Sequence, residues 1–177
     1  AKTSPMKRIL APILLVVLLF PTLALGEEVT MDDLVKTDGV YHKPFNQIPF
    51  TGNVTGVYQG HLKNGKKHGP WSDFWDEGRI ANTRTYKDGI LVGHTIYRKN
   101  GTVEVRKNYS LGASGGELDG PYEDYHSNGQ LSSKGTYKNG KKDGSWVWYY
   151  DNGQLQLKET FKDGKEDGSW VSHYKNG

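Results

Sequence analysis

Gly144-Ser145-Trp146-Val147-Trp148-Tyr149-Tyr150-Asp151-Asn152-Gly153-Gln154-Leu155, followed after five residues by Phe161-Lys162-Asp163-Gly164-Lys165-Glu166-Asp167-Gly168, is the stretch whose reading decides the fold. It ends where a second copy begins, on Gly168-Ser169-Trp170. Along the chain Gly69, Gly93, Gly120, Gly144 and Gly168 each open a similar unit, at spacings of 24, 27, 24 and 24 residues. A fixed period of that length is the mark of a repeat architecture, in which each unit is one supersecondary element.

Every unit carries two turn signals. Glu77-Gly78, Asn100-Gly101, Asn128-Gly129 and Asn152-Gly153 separate aromatic or alternating runs and predict two-residue hairpin tips with positive φ. Asn64-Gly65, Asp88-Gly89, Asn139-Gly140 and Asp163-Gly164 each lie four residues before the next opening glycine and join one hairpin to the next. The unit from Gly93 lacks one residue before Asn100-Gly101 and gains four in the loop over residues 110–115, which accounts for the spacing of 27. Residues 52–62 read as an amino-terminal cap hairpin. Lys175-Asn176-Gly177 stops on a hairpin turn whose return strand is missing, the pattern expected of a truncated repeat array.

Strand alternation puts Trp71, Tyr122, Trp146 and Trp170 on one face, with Phe74, Tyr97, Tyr125, Tyr149 and His173 pointing the other way. On the return strands Ile80 and Tyr86, Val103 and Tyr109, Leu131 and Tyr137, and Leu155 and Phe161 share a face. A lone hairpin is marginal in water, so neighbours must share ladder hydrogen bonds and aromatic contacts. The expected fold is all-β: an elongated meander of tandem antiparallel β-hairpins after an N-terminal signal helix.

Composition agrees. Hydrophobic residues make up only 34%, thin for one thick core, yet they include 5 Trp, 11 Tyr and 5 Phe punctuated by 23 Gly. No cysteine is present, which excludes a disulfide framework, a thiolate metal site and a catalytic thiol. The formal charge of +3 comes from Lys2, Lys7 and Arg8; without them 20 basic residues face 20 acidic ones. A balance near zero argues against nucleic acid, whose binding needs a basic surplus.

Residues 1–5 read as an overhang ahead of Met6, and residues 6–26 as a signal peptide. Lys7-Arg8 is the charged start, residues 9–20 are the apolar stretch, and Ala24 and Gly26 suit peptidase cleavage after Gly26. The alternative is an uncleaved membrane anchor, since residues 9–25 are at the short limit for a span. Export predicts a periplasmic or secreted protein. Residues 27–51 form a lead-in segment, and residues 52–177 the repeats.

The pattern Gly-x-Trp-x-x-Tyr-Tyr-x-Asn-Gly-x-Leu at residues 144–155, preceded by Tyr137-Lys138-Asn139-Gly140-Lys141-Lys142-Asp143-Gly144, resembles the MORN repeat. The likeness is to the variant form common in bacterial proteins of the YwqK-type antitoxin-like family. Residues 120–144 and 144–168 match closely; residues 93–120 depart by Thr95 at the aromatic position and by the inserted loop. The resemblance implies a row of antiparallel hairpins with a binding or scaffolding role, including that of an antitoxin or immunity protein. Eukaryotic MORN proteins are associated with membranes and phosphoinositides.

No Gly-x-Ser-x-Gly, phosphate-cradling glycine loop or His-Glu-x-x-His occurs, so no enzyme activity, cofactor or metal is expected. The six histidines do not cluster in sequence. Two residue sets are candidates for binding. Trp71, Tyr122, Trp146 and Trp170 form an aromatic stripe that serves either packing or recognition of a protein partner, a toxin among them. Lys66, Lys67, Lys141 and Lys142 belong to basic turns expected to stack along one edge, as an anionic-surface candidate or simply as solvated turns that discourage edge pairing. The expected function is a non-catalytic protein-binding repeat module. The alternatives are a membrane-surface module that binds anionic lipid and a structural envelope protein that associates with itself.

Overall fold

In the computed structural model, which describes residues 28–75, 77–111 and 116–176, the inter-hairpin turns set the frame. Asn64, Asp88, Asn139 and Asp163 have φ of 50°, 51°, 49° and 52°, and the glycine after each is also at positive φ. Two successive positive φ values are the signature of a type I′ turn, whose twist matches that of the strands it joins. Asp38-Gly39 makes a fifth such turn in the lead-in.

The hairpin tips differ from the expected two-residue turns. There the glycine alone has positive φ, and the chain closes over four residues: the N–H of Gly78 donates to Trp75, Gly101 to Arg98, Gly129 to His126 and Gly153 to Tyr150, at 2.8–2.9 Å. At three of the four tips an asparagine side chain supports this turn, while the Glu77-Gly78 tip closes the same way without one. Oδ1 of Asn100, Asn128 and Asn152 accepts the N–H of the residue two further on at 3.0 Å, so the asparagine is satisfied in an ordinary backbone region and leaves the left-handed position to glycine.

Between these turns runs a long antiparallel meander. Its strands are β1 (Val29–Thr30), β2 (Val35–Thr37), β3 (Val40–His42), β4 (Gly52–Thr55), β5 (Tyr58–Lys63), β6 (Lys66–Phe74), β7 (Ile80–Lys87), β8 (Ile90–Tyr97), β9 (Val103–Asn108), β10 (Gly120–Tyr125), β11 (Leu131–Lys138), β12 (Lys141–Tyr149), β13 (Leu155–Lys162), β14 (Lys165–Glu166) and β15 (Val171–Ser172). One sheet of 13 strands follows the order β1-β4-β5 and then chain order to β14, with β15 also on β13. β2 and β3 pair separately.

The lead-in does more than precede the repeats. β1 adds in parallel to β4, a 3-10 turn (Met31–Asp33) follows, and the β2–β3 hairpin folds over the sheet. Gly65 donates to the Phe50 carbonyl at 2.7 Å while its own carbonyl accepts the Tyr41 N–H at 2.8 Å. Met31, Leu34, Tyr41, Phe50 and Tyr86 thereby pack on the buried cluster Val54, Leu62 and Trp71. The expected overhang, signal helix and cleavage site at residues 1–26 lie outside the described residues.

Candidate binding face

Register decides which side chains meet. Trp71 on β6 stands opposite Arg84 on β7, which stands opposite His94 on β8; Tyr58 on β5 faces Asp73, and Asp73 faces Asn82. All are on the face that carries Trp146 further along, because alternation along each strand keeps residues two apart on the same side.

Two sites on this face are built alike, 75 residues apart. In the first, Trp71 lies flat on Gly60 of the neighbouring strand, where a Cβ would stand 2.3 Å from the indole. Its Nε1 donates to the His61 carbonyl at 3.1 Å, and only 3% of the residue is exposed. In the second, Trp146 lies on Gly135, where a Cβ would stand 2.2 Å away; its Nε1 donates to the Thr136 carbonyl at 3.1 Å, and 2% is exposed. Each indole has a lysine above it. Lys67 Nζ is 4.3 Å from the Trp71 ring centroid, 5.3 Å from Tyr86 and 5.9 Å from Tyr58. Lys142 Nζ is 4.5 Å from Trp146, 4.7 Å from Trp148 and 4.9 Å from Phe161.

Their surroundings differ. Around Trp71 the neighbours are charged: Asp73 pairs with Arg84 and also accepts from Asn82 at 2.8 Å, and Asn82 Oδ1 accepts from His94 Nε2 at 3.0 Å. Burial, then the charges of Arg84 and Lys36, push the Lys67 ammonium below its ordinary pKa. Burial, then Arg84 and Lys107, likewise lower that of His94. An open cavity of about 320 Å³ lies over this group. Around Trp146 the neighbours are rings: Tyr137 at 5.0 Å, edge-on; Tyr122 at 5.7 Å; Trp148 at 5.8 Å; Phe161 at 6.4 Å. Burial raises the Tyr122 and Tyr137 hydroxyl pKa values.

Residues 118–139 and 142–163 both match the family model of the MORN repeat variant. MORN repeats are commonly protein- or membrane-binding modules, and a non-catalytic repeat module is compatible with that. The two matched stretches carry β10 through β13, hence the aromatic site. No curated protein matches the chain. Among solved structures, the GtfA/B complex bound to UDP and GlcNAc is 17% identical over 78% of this chain and 25% of that one, with a TM-score of 0.29. Accessory secretory protein 1,2 and 3 of Streptococcus pneumoniae is 15% identical over 77% and 20%, with a TM-score of 0.22. The chain thus spans about a quarter and a fifth of those chains, and likeness at that level carries no argument.

The geometry divides the candidate residues. Trp71 and Trp146 are floors rather than contact surfaces, Tyr122 is half-buried beside Trp146, and Trp170 is 61% exposed. One step beyond the Lys158–Val171 pair, the residue across the ladder from Trp170 is Glu159, not a glycine. The lysines divide by alternation: Lys66 and Lys141 are exposed at the turn edge, lying against Gly89 and Gly164, whereas Lys67 and Lys142 fold onto the rings. At that edge Lys63 faces Lys66, Lys138 faces Lys141 and Lys162 faces Lys165, three like-charge pairs directly opposite.

One set of contacts was missed in the sequence. At the tips Arg98 donates to the Tyr125 carbonyl at 2.5 Å, His126 Nε2 to Tyr149 at 2.8 Å and Tyr150 to His173 at 2.8 Å. Each is the sixth or fifth residue after its opening glycine, and each clasps the next hairpin; chemically they are unlike, which hid the shared role. Among the described residues no group of three or more His, Asp or Glu could hold a metal ion, and no helix is long and apolar enough to cross a membrane.

Proposed function

We propose that the chain is a non-catalytic protein-binding repeat module, exported to the periplasm or secreted, and that it acts as an antitoxin or immunity protein for the partner it holds. One observation carries the reading. Lys142 stands over Trp146, Trp148 and Phe161, and the exposed Trp170 and Tyr174 follow at the same end of the sheet. Exposed aromatics beside a buried aromatic floor match the make-up of interaction hot spots, where tryptophan and tyrosine are enriched. The test is a reconstituted complex. Crosslinked envelope extract is passed over the full chain, the stoichiometric partner is identified by mass spectrometry, and its affinity is then measured against Trp170→Ala. A loss of about thirtyfold, the scale of one hot-spot residue, supports the reading. Recovery of lipid or of the chain alone overturns it.

A second reading, an anionic lipid surface, is favoured by the Lys–Lys pairs at the turn edge. Like charges directly opposite destabilise a ladder, and an anionic surface would relieve them. Vesicle binding through these exposed lysines would fall steeply with salt, while an aromatic protein interface would not.

A further inference from the structure

The cavity over Trp71 does not belong to the aromatic patch and has its own chemistry. Its floor is the Trp71 indole and its walls include Tyr58 and Tyr86; Lys67, Arg84, Ser72 and Asp73 supply the polar groups. A second hollow of about 210 Å³ shares Lys67 and Tyr86 with it and adds Lys36 and Lys66. Lys36, Lys67 and Arg84 therefore meet one carboxylate, while Lys66 stands exposed at the turn edge. That carboxylate is already engaged, with Arg84 on one oxygen and Asn82 on the other.

Lys67 is the unusual member. Among the described residues no carboxylate comes within ion-pair distance of it, although its ammonium is half-buried and repelled by Arg84 and Lys36. Ring faces hold it, but they do not neutralise it. A half-desolvated cation whose nearby carboxylate, Asp73, is ion-paired with Arg84 instead can receive a further anionic group.

We propose that this cavity receives a carboxylate side chain from an acidic segment of the partner protein, held between Lys67 and Arg84 with the flanking residue against Tyr58. The inventory of polar groups selects the class. Lys67 and Arg84 bring two positive charges to the opening, and Asp73 is already engaged by Arg84 and Asn82, so the complement is an anionic acceptor; an ionised carboxylate fits. The protein-binding reading enters only as the source of the carboxylate. The corresponding place 75 residues on cannot do this, since Ser133, Trp148 and Glu159 stand where Tyr58, Asp73 and Arg84 stand here.

The probe is a fluorescein-labelled octaglutamate peptide, titrated by fluorescence polarisation into the full chain, so the result does not depend on finding the partner. Lys67→Met keeps the stem over Trp71 and removes the charge; it is expected to weaken binding at least tenfold, as loss of a charge-assisted contact does, while Lys67→Arg restores most of it. Arg84→Gln, which leaves Lys67 in place, is the second variant, with a loss of about fivefold expected on the same scale. Lys158→Met, an exposed lysine on the opposite face, is expected to change affinity less than about twofold, as exposed charges do. The proposal is overturned if wild type does not bind, if Lys158→Met loses as much as Lys67→Met, or if inorganic phosphate or oligogalacturonate displaces the peptide more readily than free glutarate does.

Discussion

The sites around Trp71 and Trp146 share a tryptophan, a glycine bed, an indole hydrogen bond and an overlying lysine, yet one is an open, positively charged hollow and the other a flush aromatic patch. Tyr58 against Ser133, Leu62 against Tyr137, Asp73 against Trp148, Arg84 against Glu159 and Tyr86 against Phe161 are among the substitutions that separate them. The frame is set by the repeat, and the chemistry by what the two flanking strands bring to the same register. Burial at the frame positions and variation at the flanking ones is how a single-layer sheet carries two kinds of surface. Trp170, which has the repeat position but Glu159 across the ladder, completes the comparison as a tryptophan left exposed.

The comparison breaks most visibly at the tryptophans. Trp146→Ala should cost about 4 kcal/mol in denaturant unfolding, the scale for deleting a buried tryptophan, whereas Trp170→Ala should stay within about 0.5 kcal/mol. Equal effects would mean that the glycine bed is irrelevant. Next come the beds themselves. Gly60→Ala and Gly135→Ala should each cost about 2 kcal/mol, because the new Cβ would stand 2.3 or 2.2 Å from the indole and the ring must lift. Chemical denaturation of each, beside a tip glycine such as Gly101→Ala, would tell overpacking from a backbone penalty by whether the Trp fluorescence of the native state shifts. The smallest effect concerns the lysines. Lys142→Met should cost about 0.5–1 kcal/mol, the scale of a lost cation–π contact. Lys67→Met should cost less, since there the charge is also held against burial and against Arg84 and Lys36. Its lowered pKa means that the native state binds this proton less readily than the unfolded chain. The stability linked to Lys67 is therefore present at pH above the ordinary lysine range, about 10.4, and is lost as pH falls through the lower native value. Thermal unfolding of wild type and Lys67→Met across pH 8 to 11 should show the wild type gaining relative to the variant as pH rises.

Much of this was legible in residues. The inter-hairpin Asp-Gly and Asn-Gly turns, the 24-residue spacing and the face shared by Trp71, Tyr122 and Trp146 follow from local patterns, and the structure carries all three. Alternation would also have separated Lys66 from Lys67 and Lys141 from Lys142, which as neighbours in a strand must point to opposite faces. The glycine beds left a fainter signal. Gly60 and Gly135 each stand nine residues before an opening glycine, where Arg84 and Glu159 stand in other units. The lead-in was not legible: residues 29–50 carry no repeat, and their packing on Val54, Leu62 and Trp71 depends on shape across the sheet.

The sequence by itself determined the inter-hairpin turns, the meander and the face shared by Trp71, Tyr122 and Trp146, because these depend on backbone preferences and on a period of two that act within a few residues. Only the tertiary structure decided which tryptophan is floor and which is surface, which lysine caps a ring and where a cavity opens. Those outcomes depend on the residue directly across the ladder, which can lie more than ten positions away in the chain and whose Cβ, present or absent, fixes whether a ring can lie down.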